Sequence, residues 1–376
     1  MKKLTWFFQI TFILTLGCQS DQPLEQTVPS LKDAYQNIFL IGTVLNSNQL
    51  SGNDSNSMAL VKKHFNSITA ENDLKWEKVH PKPDVFNFDV ADKFVTFGQK
   101  NNLFIIGHTL VWHNQIPGWV FEGENGQSAD HETLLARMRE HIFEVAGRYK
   151  GKINGWDVVN EAFDNQGALR RSKWLEIIGP EYIETAFQWA HEADPEAELY
   201  YNDFNMWYPG KREAVVKLIH HLRIKNIPIH GIGLQGHWGL DYPPMDELEA
   251  SLKAYAETGL KVMITELDID LLPQPEAYSG AEITKRYERQ EFLDPFKYGL
   301  PDSMQEKLSK RYHELFNLLI KYRAAISRVT FWGVHDGVSW KNNWPVHGRT
   351  SYPLLFDRQY RPKPAFYELI NLVAGD

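Results

Sequence analysis

Two glutamates stand where apolar segments of the sequence end. Residues 155–162 read GWDVVNEA, and this buried-strand pattern stops on Asn160 and Glu161. Residues 261–270 read KVMITELDID, and this second apolar run carries Glu266 towards its end. Carboxylates at the ends of two parallel strands suit glycoside hydrolysis, in which one acid protonates the leaving oxygen and the other attacks the sugar or activates water.

The neighbours of this pair suit supporting roles in the same chemistry. Asn160 stands beside Glu161, the proposed acid, where it is expected to hold the 2-hydroxyl of the reacting sugar. Asp268 follows Glu266 by two residues and therefore shares its face of the strand. We expect His237 and Asp268 to orient the Glu266 carboxylate and to keep it ionised.

Polar and aromatic side chains also follow the other apolar segments. Trp112, Trp332 and Trp340 are expected to form flat walls against which the C–H faces of a sugar ring pack. The side chains expected to bond sugar hydroxyls are Glu71, Asn72, Lys75, His108 and Gln235. Core packing does not require this convergence, because buried polar groups without partners lower stability.

Each of these residues has a structural explanation when it is taken alone. A single strand-end glutamate is more often part of an ion pair, and single tryptophans and histidines usually belong to the core. A metal site is a further alternative, but no His-x-His or HExxH spacing supports it. That site would use His108, His113, His237, Glu266 and Asp268. The repetition of polar and aromatic strand ends favours a catalytic cleft instead.

Eight apolar, β-rich segments would position these side chains. They cover residues 39–45, 67–71, 103–110, 153–161, 198–203, 229–237, 261–269 and 328–336. Amphipathic stretches such as 131–149 and 214–225 lie between them, and strands that alternate with helices predict a parallel sheet. Eight such units predict an α/β fold, a single (β/α)8 TIM barrel with its site at the C-terminal ends of the strands. An open doubly wound sheet would want a glycine-rich phosphate loop after the first strand, and none follows.

Composition restricts the choice of partners. The formal net charge of −8 argues against nucleic acid, which needs a basic surface. A length of 376 residues suits one α/β barrel. We find no heptad pattern and no apolar surface stripe, so a monomer is expected.

The first 30 residues differ from the rest of the chain. A charged start and an apolar run precede Gly17 and the only cysteine, Cys18, which is the order of a secretory signal. The LTLGC sequence around Cys18 resembles a bacterial lipoprotein signal, so we expect a lipid on Cys18 and export to a cell-envelope membrane. The alternative is a plain signal peptide with an incidental cysteine. The predicted organisation is a signal peptide over 1–17, a lipidated cysteine and flexible tether over 18–30, and a catalytic barrel over 31–376.

The tether is expected to end where the barrel's first helix begins. Ser30 and Asp33 have the spacing of a capping box, in which a serine hydroxyl and an acidic side chain bond each other's backbone N–H groups. This spacing predicts a helix start at residue 30.

Taken together, the motifs resemble those of glycoside hydrolase family 10, the endo-β-1,4-xylanases. The matching runs are TAENDLKWE (69–77), GHTLVWHNQIPGW (107–119), WDVVNEA (156–162), YYNDFN (200–205), GIGLQGHW (231–238), ITELDI (264–269), VTFWGVHDGVSW (329–340) and NWPVHGRTSYPLLFD (343–357). The resemblance implies a (β/α)8 barrel that acts with retention and needs no metal or organic cofactor. It also implies that Glu161 is the acid/base and Glu266 the nucleophile. The residues that match the family's glycone-binding positions are Glu71, Asn72, Lys75, His108, Trp112, Asn160, Gln235, His237, Trp332 and Trp340.

The expected function is therefore that of a retaining endo-β-1,4-xylanase acting on xylan and xylo-oligosaccharides. A β-1,4-glucanase or mixed-linkage glucanase on the same barrel is the first alternative. Xylose lacks the C6 hydroxymethyl group, so a site closed over C5 by Trp332, Trp340 and Lys75 would favour xylose. A non-catalytic glycan-binding lipoprotein is the second alternative, and it would be expected to lack Glu161 or Glu266.

Overall fold

The computed structural model describes residue 1 and residues 29–123, 126–276, 283 and 285–374. The predicted signal peptide over 1–17 lies outside these residues except for Met1. Cys18 and most of the predicted tether over 18–30 also lie outside them.

Parallel strands form the centre of the molecule. They are β1 Leu40–Leu45, β2 Ser67–Ala70, β3 Phe104–Val111, β4 Gly155–Asn160, β5 Glu198–Asp203, β6 Gly231–Leu234, β7 His237–Gly239, β8 Lys261–Asp270 and β9 Ile326–Phe331. The sheet order is β6-β5-β4-β3-β2-β1-β9-β8-β7, and β6 also pairs with β8, so the ring is closed. All of the pairings are parallel.

The nine strands make eight barrel positions. Both β6 and β7 pair with β8, and only Gln235 and Gly236 separate them. Gly236 has a φ of 85°, a conformation that glycine adopts without steric cost, and it turns the chain between the two halves. The predicted (β/α)8 TIM barrel is therefore confirmed, with its sixth strand interrupted in the middle.

Helices follow most of the strands and cover the outside of the ring. They are α1 Leu31–Ala34, α2 Ser47–Leu50, α3 Ser55–His64, α4 Trp76–Val79, α5 Asp89–Lys100, α6 His131–Arg148, α7 Lys173–Ile177, α8 Tyr182–Ala193, α9 Pro209–Ile224, α10 Met245–Glu257, α11 Asp302–Lys321 and α12 Pro364–Val373. Helix α9 begins earlier than its amphipathic pattern predicts, because Pro209 stands at the first turn, where its fixed φ suits a helix start. Among the described residues, no helix has the length and apolar character that crossing a membrane would require.

The main core lies between the strands and the helices. On α6, Leu134, Met138, Ile142 and Val145 are fully buried, and their spacing of three or four residues places them on one helix face. A smaller cluster of Ile106, Tyr200 and Met263 is also buried. The ring is therefore a packed core that fixes where each strand ends.

The strands pack closely enough that some positions admit only glycine. A Cβ atom added to Gly107 on β3 would lie 2.1 Å from Cε3 of Trp156 on β4. Trp156 is fully buried, so close packing prevents its ring from moving aside. The pairing of β3 and β4 shifts register between His108 and Val111, immediately after this contact.

Some predicted boundaries differ from those observed. Glu71 and Glu161 each lie one residue past the end of a strand, and Trp332 lies one residue past β9. The capping box predicted for Ser30 was wrong, although α1 does begin at Leu31. The Ser30 hydroxyl donates instead to the Lys63 carbonyl oxygen at 2.6 Å and ties α1 to the end of α3.

Candidate active site

All twelve residues predicted to act on substrate or to bind it line one cleft of about 380 Å³. They are Glu161, Glu266, Glu71, Asn72, Lys75, His108, Trp112, Asn160, Gln235, His237, Trp332 and Trp340. Most of them lie at the C-terminal ends of strands or in the segments that follow, which is where the barrel architecture predicts the site, whereas His108, His237 and Glu266 stand within β3, β7 and β8. Asp268, the predicted supporting residue, is fully buried.

Glu266, on β8, is held at both carboxylate oxygens. Asn202 Nδ2 donates to one oxygen at 2.8 Å, and His237 Nε2 lies 3.1 Å from the other. The second ring nitrogen of His237, Nδ1, lies 3.0 Å from Asp268 Oδ2. Trp340 Nε1 donates to the same Asp268 oxygen at 2.7 Å. The imidazole thus bridges two carboxylates and has a fixed orientation.

The surroundings of Glu266 favour its ionised form. Burial is the largest influence on its pKa and acts to raise it. The hydrogen bond from His237 and the electrostatic influence of His108, His237 and Lys75 prevail over burial, so the pKa of Glu266 is lowered. Burial acts to lower the pKa of His237, but Asp268 and Glu266 outweigh it and raise that pKa to about 9. At neutral pH the carboxylate therefore faces a charged imidazolium.

Glu161 lies just past β4 in a different environment. It is buried, and Gln235 Nε2 donates to its Oε1 at 2.8 Å. Burial is the largest cause of its raised pKa, and the negative charge of Glu266 adds to the effect. The hydrogen bonds from Gln235 and Trp112 and the charge of Arg170 act in the opposite direction without prevailing. Glu161 is thus suited to hold a proton.

The two glutamates of one cleft therefore have pKa values displaced in opposite directions. A lowered pKa suits a carboxylate that attacks, and a raised pKa suits a carboxylic acid that donates a proton. Asn160 shares one neighbour with each of them, Asn202 with Glu266 and Gln235 with Glu161. Asn202 Nδ2 and Gln235 Nε2 lie 3.1 and 3.3 Å from Oδ1 of the Asn160 side-chain amide.

A polar network forms one side of the cleft. Lys75 Nζ donates to Asn72 Oδ1 at 3.0 Å and to Gln115 Oε1 at 2.8 Å. Gln115 Nε2 donates to the same Asn72 oxygen at 3.1 Å. Glu71 Oε2 accepts a hydrogen bond from Asn46 Nδ2 at 3.1 Å. Donors and acceptors held in this way can bond sugar hydroxyls without first being ordered.

Aromatic rings form the remaining walls. Trp332 stands edge-on to the rings of His108 and His237, with centroid distances of 5.5 and 6.2 Å. Trp340 stacks on Trp344 with a centroid distance of 4.5 Å and an interplanar angle of 11°. Flat apolar faces beside polar groups are suited to a pyranose ring, which is itself apolar on its faces and polar at its edge.

Several residues of the site were missed by sequence reasoning. Five further residues line the cleft, namely Gln115, Ile283, Arg286, Asn343 and Trp344. Gln115, Asn343 and Trp344 lie within the matched motifs, so their position in those runs was an available signal. Ile283 and Arg286 lie in the long segment between β8 and α11, outside the matched motifs. Asn202 is the last residue but one of β5, and its contact with Glu266 depends on the barrel bringing β5 and β8 together.

The predicted metal alternative gains no support from the geometry. Across residues 29–123, 126–276, 283 and 285–374, no three side chains of His, Cys, Asp or Glu are grouped as metal ligands would be. His113 instead lies with its Nε2 3.9 Å from Glu161 Oε2. The prediction of no cofactor stays a prediction.

Comparison with known proteins agrees with the barrel fold. The model of glycosyl hydrolase family 10 matches residues 30–372. Endo-1,4-beta-xylanase A of Xylanibacter ruminicola is 43% identical over 372 residues, which cover 99% of this chain and 100% of the relative. Beta-1,4-xylanase of Dictyoglomus thermophilum is 45% identical over 364 residues, covering 96% of each chain. The solved structure of a GH10 endoxylanase from a sugarcane soil metagenome superposes with a TM-score of 0.89 at 45% identity, covering 91% of this chain and 100% of its own. The chain belongs to glycosyl hydrolase family 10.

Proposed function

We propose that this protein is a retaining endo-β-1,4-xylanase, which hydrolyses internal β-1,4-xylosidic bonds of xylan by double displacement. The observation that carries the proposal is the pair of buried glutamates, Glu161 and Glu266, with pKa values moved apart within one cleft. Membership of the family and the xylanase names of full-length relatives support xylan as the substrate.

The first displacement uses both glutamates in the states that their surroundings favour. Glu266 attacks the anomeric carbon as a carboxylate, and the bond from that carbon to the glycosidic oxygen breaks. Glu161 gives its proton to the leaving oxygen, which departs as the hydroxyl of the aglycone. The product is a glycosyl ester on Glu266 with inverted configuration.

The second displacement reverses the role of Glu161. Now a carboxylate, it takes a proton from water while the water oxygen attacks the anomeric carbon. The ester bond to Glu266 breaks, and both glutamates return to their initial states. Two inversions give net retention. His237 and Asn202 stabilise the departing Glu266 carboxylate, because each is already within hydrogen-bond distance of one oxygen.

The rest of the cleft binds and orients the sugar. Asn160 is proposed to bond the 2-hydroxyl of the reacting xylose, a contact that strengthens in the transition state. Lys75, Trp332 and Trp340 line the cleft and are proposed to enclose its glycone side. Because xylose has no hydroxymethyl group at C5, this enclosure is proposed to favour xylose over glucose.

Xylohexaose hydrolysis followed by NMR tests the proposal. Internal cleavage is expected, with the β-anomer of the new reducing end appearing before mutarotation. Glu266→Gln is the matched variant, because it keeps the shape of the side chain and removes the nucleophile. Early α-anomer, or unimpaired turnover by Glu266→Gln, would contradict the double displacement.

The glucanase alternative requires a second comparison on the same enzyme. Turnover on xylan is expected to exceed turnover on carboxymethylcellulose at equal mass concentration. A preference for carboxymethylcellulose would replace xylan with β-1,4-glucan as the substrate. Binding of xylohexaose without any hydrolysis would instead favour the glycan-binding lipoprotein.

We also infer that the protein is a monomer exported to a bacterial cell envelope and anchored there through a lipid on Cys18. The support is the order of a charged start, an apolar run, Gly17 and Cys18. Full-length protein is expected in the membrane fraction, and Cys18→Ser is expected to move it to the soluble fraction. Equal partitioning of the two proteins would contradict the anchor, and a mass above one chain in light scattering would contradict the monomer.

A further inference from the structure

Glu161 has a backbone conformation that needs outside support. Its φ is 60°, in the left-handed region that residues with a Cβ atom adopt only at a steric cost. Strand β4 ends at Asn160, so the extended backbone no longer directs the next side chain. The direction of the Glu161 carboxyl therefore depends on what holds residues 161 and 162.

Hydrogen bonds with three other residues hold this turn. The Glu161 N–H donates to the Asn202 carbonyl oxygen at 2.9 Å, and Arg170 Nε donates to the Glu161 carbonyl oxygen at 3.1 Å. The third is made by a side chain from within the core. The Ala162 N–H donates to the Tyr201 hydroxyl oxygen at 3.1 Å.

The Tyr201 hydroxyl is itself anchored by a buried ion pair. It donates to Asp203 Oδ2 at 2.5 Å, and Lys211 Nζ donates to Asp203 Oδ1 at 2.8 Å. Tyr201, Asp203 and Lys211 are all fully buried. Burial raises the pKa of Tyr201 well above its ordinary value, so its hydroxyl stays a donor. Tyr201 and Asp203 are two residues apart on β5 and share a face of the strand.

A second connection runs from the same strand to the carboxyl group of Glu161. The Asp203 carbonyl oxygen accepts a hydrogen bond from the Gln235 N–H at 3.0 Å. The Gln235 side chain then donates to Glu161 Oε1 at 2.8 Å. Asp203 is therefore linked to both the backbone and the carboxyl end of Glu161. Tyr201, Asp203 and Lys211 are absent from the lining of the cleft.

We propose that Tyr201 and Asp203, anchored by Lys211, are positioning residues that aim the carboxyl group of Glu161 at the leaving oxygen. The inference rests on the proposed function, because it assigns a role to residues that hold Glu161, the proposed acid/base, in place. Tyr201 and Asp203 act through Glu161 and do not touch the sugar. Their effect is on proton transfer and not on the attack by Glu266.

This division of tasks can be measured by changing the leaving group. A xylose hydroxyl needs a proton to depart, whereas 2,4-dinitrophenolate departs without one. Tyr201→Phe is expected to lower kcat/KM for xylohexaose about 10- to 100-fold, as misplacement of a catalytic group does. Its kcat/KM for 2,4-dinitrophenyl β-xylobioside is expected to stay within about twofold of the wild type, because that ratio reports the first displacement alone.

Azide provides a second readout that a loss of fold would not produce. It attacks the glycosyl ester as an anion and needs no base. A bond forms between its nitrogen and the anomeric carbon, and the ester bond to Glu266 breaks. Azide is therefore expected to raise kcat of Tyr201→Phe on the dinitrophenyl substrate and to give a β-glycosyl azide. The wild type, with its general base in place, is expected to gain little.

Tyr35→Phe is the matched control, since it also deletes a buried hydroxyl. The Tyr35 hydroxyl donates to the Leu369 carbonyl oxygen at 2.9 Å, between α1 and α12. This variant is expected to keep the wild-type kcat/KM for both substrates. If Tyr201→Phe does not fold, Asp203→Asn is measured in its place, with the same selective loss expected.

Two results would overturn the inference. Equal losses of kcat/KM on xylohexaose and on the dinitrophenyl substrate would indicate a structural role only. Wild-type values on both substrates would indicate no role. Failure of the wild-type enzyme to cleave xylohexaose would reject the proposed function itself, and it is measured separately from the variants.

Discussion

The single imidazole of His237 sets much of the chemistry of this site at the scale of one residue. It lies within hydrogen-bond distance of both Glu266 and Asp268. Its pKa of about 9 means that it carries a charge throughout the acidic and neutral range. The neighbours of Glu266 therefore favour the ionised form that a nucleophile needs, whereas burial acts to raise its pKa.

The pH dependence of kcat/KM is predicted to reflect the two displaced pKa values. Activity requires Glu266 ionised and Glu161 protonated, so the profile falls on the acidic side with Glu266 and on the basic side with Glu161. His237→Asn removes a charged hydrogen bond worth about 1.5–3 kcal/mol, which predicts a loss of about 10- to 100-fold. It also lets burial raise the pKa of Glu266, so the acidic limb moves to higher pH.

The control for this prediction is His221→Asn. His221 is exposed and pairs with Glu184 on the outside of the barrel. It is expected to leave both limbs unchanged. An acidic limb that stays in place in His237→Asn would show that this imidazole does not govern the ionisation of Glu266.

The two glutamates proposed to be catalytic could be assigned to the cleft because they stand at or near the ends of apolar runs in distinctive motifs. Glu161 and Glu266 both have this signature, and the same reasoning found ten further residues that line the cleft. The left-handed backbone of Glu161 was not predictable, because it depends on hydrogen bonds that residues 161 and 162 make with Asn202, Arg170 and Tyr201. These partners lie further along the sequence and become neighbours of Glu161 only in the folded barrel.

At the scale of the strands, close packing between neighbours determines where the site residues stand. Gly107 lies directly before His108, and it is the residue that lets β3 approach the Trp156 ring on β4. His108 Nδ1 then lies 2.9 Å from Asp157 Oδ2 on the same pair of strands. The spacing of two strands therefore governs one wall of the cleft.

Gly107→Ala is predicted to destabilise the protein and to reduce its activity. Its methyl group would overlap the Trp156 ring, and overpacking of this kind costs about 1–3 kcal/mol. The free energy of unfolding from urea denaturation measures the cost. Gly147→Ala on α6 is the control, because its Cβ meets nothing within 4 Å and removal of a helical glycine stabilises by up to about 1 kcal/mol. Equal stabilities of the two variants would contradict this account of the β3–β4 contact.

The order and type of the strands could be predicted, but their interruptions could not. The pattern over 229–237 reads as one strand, whereas Gly236 turns the chain and the register against β8 changes there. Ser30 shows the same limit at a helix start. Several acceptors are possible for its hydroxyl, and in the fold the hydroxyl donates to the Lys63 carbonyl oxygen of α3.

On the scale of the whole molecule, buried histidines make stability depend on pH. His141 stacks on Trp76 with a centroid distance of 3.7 Å, and His80 stacks on Phe86 at 4.0 Å. Within the described ranges, the ring nitrogens of His80 and His141 have no hydrogen-bond partner. Burial lowers the pKa of His80 to about 4 and lowers that of His141 well below its ordinary value.

The melting temperature is therefore predicted to fall as the pH decreases from 7 to 4.5. The unfolded chain takes up protons near the ordinary histidine pKa of 6.5, while the folded chain does not until its lower pKa is reached. The stability that the neutral buried histidines contribute is therefore complete above pH 6.5 and is lost progressively as the pH falls below it. His80→Phe removes one such group, so the fall in melting temperature is expected to be smaller in this variant.

His220→Phe is the matched control, because His220 is exposed and the same substitution removes a histidine from the surface instead of the core. Its fall in melting temperature is expected to equal that of the wild type. A fall in His80→Phe as large as in the wild type would contradict the role of the buried ring.

The pairing of β1 with β9 joins the two ends of the barrel, residue Leu40 standing opposite Arg328. A chain still emerging from the ribosome carries both glutamates long before it carries the strand that completes the ring. Trp332 and Trp340 emerge later still, beyond that strand. Contacts between such distant parts of a chain form slowly, since a long loop must close first. Hydrolytic activity is therefore expected only from a chain long enough to include the last strand and the two tryptophans that follow it.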